Sequence, residues 1–179
     1  MMRHKTSSAR TGRRALVGAG VVVAVAAAPG IPTAAAIDGD LALNGVYAAL
    51  SIGNWAKTNE VYIDQLPVRS TWTIESTCSD PQTCAGQVTS DLGWSAPLRY
   101  ESGMWSVSHE VPNWLPCPDG TAYPGQQLYR FGTTAPGGRS QVGSSVLAGE
   151  DVTSGPSGAC GVGGPLVIRM PFRLERVGG

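Results

Sequence analysis

The last strand-like stretch of this chain most tightly limits its fold. Leu166, Ile168, Met170, Phe172 and Leu174 alternate with Val167, Arg169, Pro171, Arg173 and Glu175. Side chains of a β-strand point to opposite faces with a period of two, so one face is wholly apolar and the other mostly charged. Such a strand must lie half-buried on a core. Burying its five apolar side chains contributes about 10 kcal/mol before conformational entropy is subtracted.

The same period recurs upstream. Val68, Trp72 and Ile74 share one face while Arg69, Thr71, Thr73 and Glu75 share the other, and Trp105, Val107, His109 and Val111 form a third set. Weaker strands fall at Gly45 to Ile52, Glu60 to Ile63, Cys84 to Ser90, Trp94 to Glu101, Gln126 to Phe131 and Ser144 to Ala148. No stretch after residue 36 sustains helical periodicity. Asp91-Leu92-Gly93 and Glu101-Ser102-Gly103 supply tight turns, so the chain from Val68 to Val111 reads as an antiparallel meander. The expectation is an all-β domain, a small lipocalin-like up-and-down barrel, with a two-sheet sandwich as the alternative. Pro97 and Pro171 fall inside strands and lack a donor, so they should mark edges or bulges. Pro112 to Gly125 and Thr133 to Gly143 are the long loops, the second expected to be mobile.

Residues 1–36 read as an export signal. Arg3, Lys5, Arg10, Arg13 and Arg14 precede an apolar stretch from Ala15 to Ala28, and Ala34-Ala35-Ala36 gives the small-residue cleavage pattern. The apolar stretch is too short to span a bilayer, which needs roughly 20 apolar residues. Gly12-Arg13-Arg14-Ala15-Leu16-Val17 also fits a twin-arginine signal, so the route is Sec or twin-arginine. Removing 36 residues from 179 leaves 143 for a single secreted domain, residues 37–179, with 8 basic against 13 acidic residues, a charge of −5. That sign disfavours nucleic acid and anionic membranes, and the expected state is a monomer without cofactor or membrane span.

Cys78, Cys84, Cys117 and Cys160 all follow the signal. An even number in an exported chain implies disulfides, and four cysteines permit three pairings. Cys78 with Cys84 and Cys117 with Cys160 is the favoured one, because the first pair brackets the turn-forming Ser79 to Thr83. Zinc is disfavoured, since no C-x-x-C spacing occurs.

Catalytic candidates are sparse. Cys160-Gly161-Val162-Gly163-Gly164-Pro165 looks like the nucleophile segment of chymotrypsin-like proteases, but Val162 stands at the nucleophile position and cannot attack a carbonyl. His109 is the only histidine after the signal; by alternation it faces the core, as a neutral imidazole with one hydrogen-bond partner. The enzymatic alternative pairs it with Asp91, Glu110 or Asp119 as acid and base. Asp38 with Asp40, and Glu150 with Asp151, lack the further ligands of a calcium site and read as solvated carboxylates. Of the five tryptophans, Trp72 and Trp105 belong to apolar faces, whereas Trp55 and Trp114 each follow asparagine in loop-like context. Trp55, Trp114 and His109 are therefore the candidate ligand contacts. If Trp72, Ile74, Trp105, Met170 and Phe172 fill the lumen, no pocket remains and function must lie on the surface.

Taken together, Leu43-Asn44-Gly45-Val46-Tyr47, Asn54-Trp55-Ala56-Lys57-Thr58-Asn59, Ser70-Thr71-Trp72-Thr73-Ile74, Asn113-Trp114 with Cys117-Pro118-Asp119-Gly120, and Ser157-Gly158-Ala159-Cys160-Gly161 resemble a group of small exported mycobacterial proteins of uncharacterised function. A looser similarity links the chain to β-rich extracytoplasmic domains of actinobacterial lipoproteins and sensor kinases. The resemblance implies a secreted or cell-envelope protein and carries no activity. The expected function is a non-catalytic binding module for a small lipid, a glycan or an envelope protein, with a structural or signalling surface protein as a further alternative.

Overall fold

The computed structural model describes residues 41–133 and 144–177. The export signal, Asp38 with Asp40, and most of the Thr133 to Gly143 loop lie outside them. The strands are β1 (Gly45–Ser51), β2 (Lys57–Thr58), β3 (Val61–Tyr62), β4 (Val68–Asp80), β5 (Thr83–Ser90), β6 (Ser95–Glu101), β7 (Met104–Pro116), β8 (Ala122–Thr133), β9 (Val146–Ser154) and β10 (Val167–Arg176). No α-helix occurs among the described residues, only short 3-10 turns at Gly53–Trp55 and Ala159–Gly161.

Every pairing is antiparallel, and the sheet closes because β1 pairs with both β4 and β10. The barrel thus has eight strands, β1 and β4 to β10, with β2 and β3 a small hairpin on the side of β10. Closure removes the barrel's own edges, which an open sandwich would have left exposed. The meander from β4 to β7 runs as its alternation and turn residues dictate, Gly93 and Gly103 both taking positive φ.

Alternation decides what fills the interior. Trp72, Ile74, Val88, Leu98, Trp105 and Phe131 point inward and are essentially sealed from solvent, joined by Leu147, Phe172 and Leu174. Trp72 is the centre of this plug. Its indole meets Tyr129 edge-on at 4.9 Å, Trp94 at 5.4 Å and Phe131 at 6.2 Å, and lies tilted against Phe172 at 5.2 Å. Edge-to-face contacts suit the ring quadrupoles and add about 0.5–1.5 kcal/mol each beyond buried area. Leu43 closes the same end by exchanging hydrogen bonds with Ser76: its N–H donates to Oγ at 2.8 Å, and that hydroxyl donates to its carbonyl at 2.9 Å.

Both strand prolines sit where a ladder ends. Pro97 pairs with Gln87 of β5, but pairing of β6 with β7 begins only at the next residue, Leu98 opposite Val107. Pro171 pairs with Glu150 of β9, while its other side lies between the stretches of β10 that pair with β2 and with β1. Missing donors are tolerated there because no partner strand needs them.

Two disulfides form, Cys78–Cys84 across β4 and β5, and Cys117–Cys160 from the end of β7 to the connection between β9 and β10. Their sequence separations are 6 and 43 residues. Loop-closure entropy then assigns them about 2 and about 4 kcal/mol of stability respectively. Urea denaturation under non-reducing conditions should accordingly find Cys117→Ala/Cys160→Ala the more destabilised of the two double variants.

Candidate binding site in the barrel mouth

At the end opposite the plug the barrel is not filled. Beyond Val107, β7 pairs only with β8, while the first half of β6 pairs only with β5. The two strands part, and a cavity of about 660 Å³ opens among the ends of β4, β7, β8, β9 and β10. The gap is bridged by aromatic stacking: the Trp94 indole lies on the His109 imidazole at 4.1 Å and 16°. Tyr129 continues the parallel arrangement, 6.2 Å from each ring. Met170 and Ile168 of β10 and Val68 of β4 supply aliphatic walls, and Leu66, from the segment leading into β4, stands at the rim.

Trp114 enters this wall through an irregularity in β7. Between Val111 and Leu115 that strand takes four steps while β8 takes two, from Gly125 to Tyr123, and Asn113 adopts a left-handed φ of 53°. The indole is cradled by glycine. A Cβ at Gly125 would stand 2.8 Å from the Trp114 ring, and one at Gly155 would stand 3.3 Å from it. Cys117–Cys160 fastens the chain three residues beyond Trp114, so the bridge fixes the rim that carries the indole.

His109 lines the cavity half-buried. Its Nδ1 lies 3.0 Å from the Glu110 carbonyl oxygen. A carbonyl only accepts, so Nδ1 is the protonated donor of this contact, and the other ring nitrogen is Nε2. That nitrogen is buried and has no hydrogen-bond partner.

Behind Gln127 and Tyr129 lies Asp151, completely inaccessible to solvent. Its Oδ2 accepts the Ser51 hydroxyl at 2.6 Å and its Oδ1 accepts the Gln127 amide at 2.8 Å. Burial pushes the Asp151 carboxyl above its ordinary 3.8; the two hydrogen bonds and the charge of His109 draw it back. Tyr129 is held far above the ordinary phenol range, by burial first and by the Asp151 carboxylate second.

These placements correct several sequence expectations. Asp151 is not a solvated turn residue beside Glu150: β9 runs through both, so Glu150 points outward to bond Arg169 at 3.0 Å while Asp151 points into the lumen. None of the carboxylates proposed for His109 hydrogen-bonds it. Asp91 accepts the Thr71 N–H, Asp119 accepts Thr121, and the Glu110 carboxylate takes the Gln126 amide, so the acid and base pair is not assembled. Trp55, with 61% exposure, lies outside the mouth in a separate outer recess with Lys57, Tyr62 and Arg169, whereas His109 and Trp114 share the mouth. The lumen is plugged as far as Trp72, Ile74, Trp105 and Phe172, but Met170 lines open space. Trp94 and Asp151 belong to the mouth and its lining shell, yet sequence reasoning singled out neither as a site residue; β9 offered no signal, because Leu147, Asp151 and Thr153 point inward while Val146, Ala148, Glu150 and Val152 lie on the other face.

No family model matches the chain, and no curated protein matches it. Among solved structures it is similar to the monomer form of the M. tuberculosis PknI sensor domain, with a TM-score of 0.54 over 77% of this chain and 89% of that one. At 19% identity the likeness is one of fold. It agrees with the looser resemblance read from the sequence, that to β-rich sensor domains.

The raised pKa of Asp151 sets a pH dependence. A carboxyl with its folded pKa above the unfolded value favours the fold fully below about 3.8, and that contribution is lost as pH rises through the folded pKa. Chemical denaturation of Asp151→Asn and the parent from pH 3.5 to 7 should show their stability difference moving in favour of the variant as pH increases.

Proposed function

We propose that this protein is a non-catalytic extracytoplasmic module that holds a small apolar or amphiphilic molecule in the barrel mouth. The observation that carries the reading is the division of the lumen: the Trp72 plug fills one end, and an aromatic-walled cavity of about 660 Å³ occupies the other. That volume lies within the roughly 300–1,000 Å³ of ordinary ligand sites, which combine apolar walls with a few convergent polar groups. Gln127, Thr153 and His109 are such groups. Location outside the cytoplasm is supported by the two disulfides, by the signal read in residues 1–36, and by the resemblance to small exported mycobacterial proteins.

The neutral apolar fluorophore N-phenyl-1-naphthylamine tests this reading. It should bind with one-to-one stoichiometry, gain fluorescence and raise the melting temperature. Val111→Trp, which adds bulk inside the mouth, should abolish the signal, while Trp55→Ala, in the outer recess, should leave it unchanged. Binding that survives Val111→Trp and disappears with Trp55→Ala would transfer the function to the outer surface.

A further inference from the structure

A second recess lies on the outer wall, where the β2–β3 hairpin extends the sheet beyond β10. Tyr62 of β3 stands opposite Lys57 of β2, and Lys57 stands opposite Arg169 of β10. Residues paired directly across strands share a face, so three strands present these side chains in one rank. Two residues along β10, Pro171 pairs with Glu150 of β9 and belongs to the same face. Trp55, at the end of the 3-10 turn before β2, closes the recess, whose volume is about 280 Å³. Ile168 of β10 turns the other way, into the mouth, so the two cavities lie on opposite faces of one strand.

The recess leaves uncovered what a fold ordinarily buries. Trp55 is 61% exposed and Tyr62 is 67% exposed. Their rings do not merge into an oily patch, because polar groups are set between them: the Lys57 ammonium stands 4.9 Å from the Tyr62 ring centre, and Arg169 is bound through Nε to Glu60 at 3.5 Å and through Nη1 to Glu150 at 3.0 Å. The two carboxylates fix the guanidinium in place. Among the described residues Lys57 forms no ion pair, so its donors face the recess free of a carboxylate. The fixed charges balance, Lys57 and Arg169 against Glu60 and Glu150.

This composition selects among occupants. A lipid chain would strip water from Lys57, Arg169 and Glu150 and return no hydrogen bond to any of them. A strongly charged ligand finds no net charge of opposite sign. A sugar ring satisfies both halves of the recess: its C–H face packs flat on an indole or a phenol, while its hydroxyls, each able to donate and to accept, reach the cationic donors and the carboxylate around it. We infer that the outer recess is a second binding site, for a neutral carbohydrate, with Trp55 and Tyr62 as the stacking surfaces and Lys57, Arg169 and Glu150 as the partners of the hydroxyls. The rings supply contact area. The polar groups supply selectivity among sugars.

An array of neutral oligosaccharides of glucose, mannose, galactose and arabinose, with uronic-acid analogues beside them, tests this when probed with the disulfide-intact protein and when its best binder is titrated against the Trp55 indole NMR signal. A neutral oligosaccharide should bind, and Trp55→Ala, at an exposed position, should weaken it about tenfold, the order of one aromatic contact. Lys57→Met, which keeps the aliphatic stem and removes the donors, should weaken it several-fold, whereas Val111→Trp in the mouth should leave it unchanged. Absence of binding by every sugar at millimolar concentration, a preference for the uronic-acid analogues, or binding that survives Trp55→Ala would overturn the inference. So would sedimentation of the parent as a dimer that Trp55→Ala dissociates, which would assign the recess to a second copy of the chain. The naphthylamine experiment judges the mouth independently of all these outcomes.

Discussion

Trp72 divides the interior of this barrel. An eight-stranded barrel is just wide enough either to be packed solid by its own side chains or to hold one small ligand. The large indole at the centre of β4, fully buried and ringed by Trp94, Tyr129, Phe131 and Phe172, makes one half solid. The interior then has a floor. Its cost is a buried indole N–H without an acceptor, a penalty of about 1–3 kcal/mol, which the dense aromatic packing offsets.

The other half is open for a covalent reason. Pro97 has no N–H to give to β7, and the ladder between β6 and β7 stops beside it. Beyond that point the two strands need not stay at hydrogen-bonding distance, and aromatic rings take over the contact, Trp94 on His109. The proline, the stacked pair and the widened end of the barrel are one feature seen at three scales. Cys117–Cys160 then fixes the rim that this widening would otherwise loosen.

Much of the fold was legible because period-two alternation is a local property. Ile74, Val107, Phe172 and Leu174 each announce the buried face of their strand, and the prolines announce ladder ends. The favoured cysteine pairing followed from one short turn. The site was harder to read because it depends on neighbours remote in sequence. Asp151 beside Glu150 looks like a polar turn until β8 and β10 flank the strand and turn it inward. Trp114 looks like a loop residue because the irregularity that seats it on Gly125 and Gly155 is invisible without β8 and the β9 end. Trp55 looked equivalent to Trp114 in its asparagine context, and only the path of β2 and β3 along the outside of β10 separates them.

The account rests on a lumen that is solid at one end and solvent-accessible at the other. Paramagnetic relaxation by the neutral nitroxide 4-hydroxy-TEMPO, read by NMR on methyl and indole groups, measures this directly. Strong enhancement is predicted at Val111, Ile168 and Trp114, with Ile74, Leu98 and Leu174 protected. Protection of all six would mean a closed mouth, enhancement of Ile74 and Leu174 would mean a hollow barrel, and either result would contradict the account.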